Sequence, residues 1–79
     1  MTRAERKERL AVAIAESYDI SDRQTFVAEG SDYDYECQMA TDEIAEILGI
    51  TYEDEDTRYD DRNSDYYLVN EIVNELMAE

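Results

Sequence analysis

Residues 31–38, SDYDYECQ, place three carboxylates at alternate positions, Asp32, Asp34 and Glu36, with Tyr33, Tyr35 and Cys37 between and after them. Carboxylates held close together support three chemistries. One of a pair can exchange a proton as a general acid or base when burial tunes its pKa. Several can hold a hard cation. A row of them can present the charge pattern of a nucleic acid to a basic protein surface.

The first two chemistries find little support. The chain has no histidine, which excludes a His-based triad, a His proton shuttle and an imidazole metal site. Cys37 is the single cysteine, so it forms no internal disulfide and reads as a small buried hydrophobe. Acidic residues are so abundant that no catalytic pair stands out. Two glycines provide no phosphate-cradling loop. Read from Asp54 as a calcium loop, DEDTRYDDRNSD has acids at positions 1 and 3. It puts Tyr59 where glycine is needed and ends on Asp65 rather than glutamate, which fails the EF-hand pattern. Acyl carrier proteins share this size and acidity, but the nearest counterpart of their Asp-Ser-Leu attachment motif is Asn63-Ser64-Asp65, and they are all-helical. The chain is therefore read as not an enzyme, with no cofactor and no dedicated metal site.

The elements that carry the acids read as an α+β fold. Thr2 and Glu5 have capping-box spacing and open a helix running to about Tyr18, with Leu10, Ile14 and Tyr18 on one face. Its first turns hold Arg3, Arg6, Lys7 and Arg9 against the helix dipole, a placement offset by attraction to acids elsewhere in the molecule. Residues 24–38 read as a β-hairpin with Gly30-Ser31 as a type II′ turn. In that register Phe26, Ala28, Tyr33, Tyr35 and Cys37 face a core, while Glu29, Asp32, Asp34 and Glu36 face out. A competing reading makes 22–29 a short helix capped by Ser21 and ended by Gly30; the hairpin is preferred. Thr41 is expected to cap a helix that Gly49 closes, with Ile50 making the hydrophobic contact of a Schellman end. Residues 50–53 offer a short third strand, and EDEDTRYDDRNSD an exposed loop. Ser64 caps the last helix, with its stripe Leu68, Val69, Ile72, Val73 and Leu76. The expected order is α-β-β-α-β-α in one domain, residues 1–79, with a small antiparallel sheet packed against amphipathic helices.

Charge is the strongest signal. Twenty-two acidic residues stand against seven basic ones, a net −15, and residues 1–23 are neutral, so residues 24–79 carry all of it. That disfavours nucleic acid and anionic membrane as partners, and attracts basic ones. No apolar run reaches the length of a membrane span, and the N-terminal segment is too interrupted by Glu5, Glu8 and Glu16 for a signal peptide. A cytoplasmic monomer is expected.

Alternate residues on a strand lie about 6.5–7 Å apart, close to the phosphate spacing along a nucleic-acid strand. The candidate partner-binding set is therefore Glu29, Asp32, Asp34 and Glu36, extended from the loop by Tyr52, Glu53, Asp54, Glu55, Asp56, Tyr59, Asp60, Asp61 and Asp65. In size, acidity and lack of catalytic groups, the chain resembles the small DNA-mimicking anti-CRISPR proteins of phages, particularly those acting on type I systems such as type I-C. The resemblance rests on gross character and transfers no residue. It implies a stoichiometric inhibitor that binds a basic channel of the Cascade surveillance complex in the host bacterial cytoplasm and blocks target DNA. Other acidic DNA mimics, such as inhibitors of restriction enzymes or of uracil-DNA glycosylase, fit the same physics, and two readings of other classes stand beside them. One is a small acidic regulatory or structural partner that assembles through its C-terminal helix. The other is a haloadapted domain, whose charge would be spread over the whole surface.

Overall fold

The computed structural model describes residues 1–79 and contains no strand. Its elements are α1 (Arg3–Ser17), α2 (Ser21–Ala28), α3 (Tyr33–Leu48), a single 3-10 turn (Glu55–Thr57) and α4 (Asp65–Met77). The α+β expectation is thus overturned. The hairpin 24–38 is α2 followed by the start of α3, and 50–53 is a strandless link.

Gly30 explains the difference. It has φ +110° and follows α2 as the glycine of a Schellman end: its N–H donates to the Val27 carbonyl at 3.1 Å, and the Ser31 N–H donates to the Phe26 carbonyl at 2.9 Å. Gly49 does the same for α3 at φ +72°, with Ile50 N–H donating to the Ala45 carbonyl at 2.8 Å, as its sequence position suggests. Both glycines of the chain end helices. A positive φ suits either a hairpin turn or a helix end, so the Gly-Ser pair alone does not choose between them.

The choice falls to the longer apolar pattern. Cys37, Ala40, Thr41, Ile44, Ala45 and Leu48 recur at helical spacing, and the first five are buried. The alternation of 32–37 covers only half that length, and a strand there would break the stripe. Thr41 consequently lies inside α3 rather than at its cap, with its hydroxyl donating to the Cys37 carbonyl at 2.8 Å. Asp32 takes the cap position, accepting from the Tyr35 N–H at 2.9 Å. Tyr33 and Tyr35, expected in the core, are exposed, Tyr35 at 57%, and Phe26 is exposed as well.

The flanking helices follow their local signals. The Thr2–Glu5 capping box is formed in both directions, and Ser64 caps α4 by accepting from the Tyr67 N–H at 3.1 Å. The stripe of α4 supplies Val69, Ile72, Val73 and Met77 to one cluster with Ile14 of α1 and Cys37, Ala40 and Ile44 of α3. The α3–α4 pair is the centre; α1 lies against both, and α2 covers α3. No helix is long and apolar enough to cross a membrane.

Candidate functional site

Five of the seven basic side chains close ion pairs within the molecule. Arg3 meets Glu71 at 3.3 Å, Arg6 meets Asp65 at 2.8 Å, and Lys7 bridges Glu71 at 3.3 Å and Glu75 at 2.6 Å. These contacts supply the offset expected for the basic start of α1. Arg23 binds Glu36 and Glu43, and Arg58 binds Asp42. Six of the 22 acidic residues are paired in this way, and the other sixteen form no ion pair. Four of these cations join helix to helix and Arg58 ties the 53–61 loop to α3, while Arg9 and Arg62 form no ion pair. The surplus is left on the surface.

The proposed row Asp32, Asp34, Glu36 does not exist as a row. On a helix each residue turns about 100°, so alternate positions point to opposite sides. Asp32 is occupied as the α3 cap, and Asp34 is exposed in the first turn. Glu36 points inward and is 5% exposed, its carboxylate 2.9 Å from Arg23. It joins α2 to α3 and is not available to a partner. Glu29 caps the C-terminal end of α2 and is exposed without an ion pair. This first cluster reduces to Glu29, Asp32 and Asp34 around one interhelical turn.

The loop cluster keeps most of its members and gains an anchor that the sequence does not reveal. Asp42, on α3, accepts from the Tyr59 hydroxyl at 2.7 Å, from the Tyr66 hydroxyl, and from Arg58 Nε at 3.3 Å. The Tyr59 and Tyr66 rings meet edge to face at 5.8 Å, and the Arg58 guanidinium lies 4.7 Å over the Tyr59 ring. Arg58 also donates to the Glu55 carbonyl. Tyr59, expected among the contact residues, is therefore half-buried and structural. Asp54 caps the 3-10 turn by accepting from the Asp56 N–H at 3.0 Å, and Asp61 accepts from the Asn63 N–H at 3.1 Å and the Tyr52 hydroxyl at 3.4 Å. Glu53, Glu55, Asp56 and Asp60 are exposed, without ion pairs. Asp65 is partly neutralised by Arg6.

These contacts tune the anchor. Burial pushes the Asp42 carboxyl up, but the Tyr66 and Tyr59 hydroxyls and the Arg58 guanidinium outweigh it, leaving the group below the usual carboxylate value. Burial, reinforced by the same carboxylate, pushes the Tyr59 phenol up to about 12 and moves Tyr66 in the same direction. Both phenols stay protonated donors at neutral pH. Elsewhere, Tyr18 donates to Glu43 at 2.7 Å, so Glu43 links α1, α2 and α3.

No three acidic or cysteine side chains converge into a cation cage. The all-helical fold removes one objection to an acyl carrier reading, yet the attachment motif is still missing. Ser64 Oγ donates to the Asp61 carbonyl at 2.8 Å and accepts from Tyr67, so its hydroxyl is engaged in the cap. Sequence reasoning missed Asp42, Arg23 and Arg58. One signal points to Arg58: a cation amid acids, as Arg58 and Arg62 both are, is expected to find a carboxylate. Which carboxylate depends on the fold. No family model, curated protein or solved structure matches the chain.

Proposed function

We propose that this protein is a non-catalytic binding module whose acidic surface occupies the basic nucleic-acid-binding surface of another protein and keeps DNA out. The observation that carries this reading is the division of charge. Internal pairs use five of the seven cations, and sixteen carboxylates stay unpaired, many on turns fixed by hydrogen bonds. A fixed array loses less conformational freedom on binding than a mobile tail, and its field accelerates encounter with a basic groove. The turn-borne acids, not a strand face, supply the mimicry. A Cascade complex is the first target to try, on the strength of size and acidity.

Assembly through the C-terminal helix is less well supported, because the apolar stripe of α4 packs into the core and is not free for a partner. The test is titration of purified Cascade, and of other basic DNA-binding proteins, with this protein across a salt series in the presence of competitor DNA. Competitive binding that weakens steeply with salt supports occlusion; binding that coexists with bound DNA overturns it. Melting in low-salt buffer and in molar KCl separates the haloadapted reading, which requires unfolding at low salt.

A further inference from the structure

A cleft of about 520 Å³ opens between the C-terminal half of α3 and the segment that follows it. Ala45 and Tyr66 are buried in its lining and Ile50 is half-buried. Glu46 and Glu55, both exposed and without ion pairs, line it with Tyr52 and with Asp42, which is engaged by Arg58. Arg58 also borders the cleft, but Asp42 and the Glu55 carbonyl hold its guanidinium over the Tyr59 ring, where it leaves the two glutamates uncompensated.

We infer that this cleft receives one arginine side chain of the basic partner. The inference rests on the occlusion reading and gives it a point of attachment. An arginine is apolar along its stem and cationic at its tip, and it covers apolar surface while its head stays at the wet edge. The half-buried Ile50, backed by Ala45 and Tyr66, offers apolar surface to the stem. Glu46 and Glu55 match the head, and the Tyr52 ring offers a face for a planar guanidinium. An anionic ligand is repelled by the two free glutamates. A neutral apolar ligand leaves them unanswered.

The test is amide chemical-shift mapping of the whole protein with acetyl-Gly-Arg-Gly-amide, using the uncharged citrulline peptide as control. Shifts are expected at Ala45, Glu46, Ile50, Thr51 and Tyr52 with the arginine peptide and not with citrulline. Glu46→Gln with Glu55→Gln weakens binding about fivefold, the scale of one or two exposed ion pairs. The charge-matched Glu8→Gln with Glu16→Gln, exposed on α1 and outside the proposed binding surface, leaves it within about twofold. Equal losses in the two variants, or shifts spread equally over the Glu29–Asp34 turn, would mean general acidity and overturn the cleft while leaving occlusion standing. Peptide binding at the cleft without capture of any basic DNA-binding protein overturns occlusion instead.

Discussion

Arg23 of α2 places its guanidinium 2.9 Å from the carboxylate of Glu36 on α3, and little of either side chain reaches solvent, 16% and 6%. Removing one member of such a pair leaves a buried charge without its counterion, whereas replacing both with apolar groups removes the desolvation cost as well. Arg23→Ala, which leaves the buried Glu36 carboxylate without a counterion, is therefore expected to cost about 3 kcal/mol by urea denaturation, and Glu36→Ala less, because Arg23 keeps Glu43. The double replacement Arg23→Met, Glu36→Leu should recover most of it. Arg23→Ala as harmless as Asp34→Ala would show that the pair does not join the helices.

Asp42 fixes the loop that carries Glu53 to Asp61. Asp42→Asn keeps the shape but weakens three contacts to Tyr59, Tyr66 and Arg58. The expected loss is about 1–3 kcal/mol, with faster amide exchange confined to residues 51–64. Unchanged exchange there would show that the loop is held by other means.

The same cluster has a pH signature at each end of the scale. Asp42 titrates below its ordinary value, so its contribution is present above the unfolded pKa and is lost as pH falls through the lower folded value. Tyr59 is raised from 10.0 to about 12, so its contribution is full below pH 10 and is lost as pH rises toward 12. Tyrosinate absorbance should show late titration in the native protein. Asp42→Asn should bring that phase down, and a single unperturbed phase would contradict the geometry.

Neither glycine has an atom within 4 Å of where a Cβ would sit, so substitution cost there is conformational alone. Gly49→Ala should destabilise by about 1 kcal/mol, and Gly49→Asn by less, since asparagine tolerates the left-handed region. Gly30, at φ +110°, should tolerate alanine no better than Gly49 does. Far-UV circular dichroism of Gly30→Ala should retain the helical spectrum. Appearance of strand signal would revive the hairpin.

The caps of α1 and α4, the end of α3 and the C-terminal core are legible; the cap of α3, expected at Thr41 and found at Asp32, is not. Thr2 with Glu5, Ser64, Gly49 with Ile50, and the stripe of α4 are local signals, and each is found where its spacing puts it. The hairpin was misread because two short patterns overlap. Gly30-Ser31 and the alternation of 32–37 satisfy a strand locally, while the stripe from Cys37 to Leu48 becomes visible only when Thr41 is allowed inside a helix. A threonine hydroxyl that bonds back to the preceding turn makes that possible. The site was legible as a quantity of charge, not as a place. Whether Glu36 faces a partner or Arg23, and whether Tyr59 touches solvent or Asp42, depends on contacts between residues 13 and 17 positions apart, which spacing alone does not encode.

Cys37 lies at the α3–α4 junction, 2% exposed, with burial raising its thiol above the ordinary value. As the molecule's one sulfhydryl, it is shielded from oxidants and alkylating reagents for as long as the helices stay together. Its labelling rate thus clocks the parting of the central helix pair, giving this chain an internal gauge of its own opening that needs no added dye.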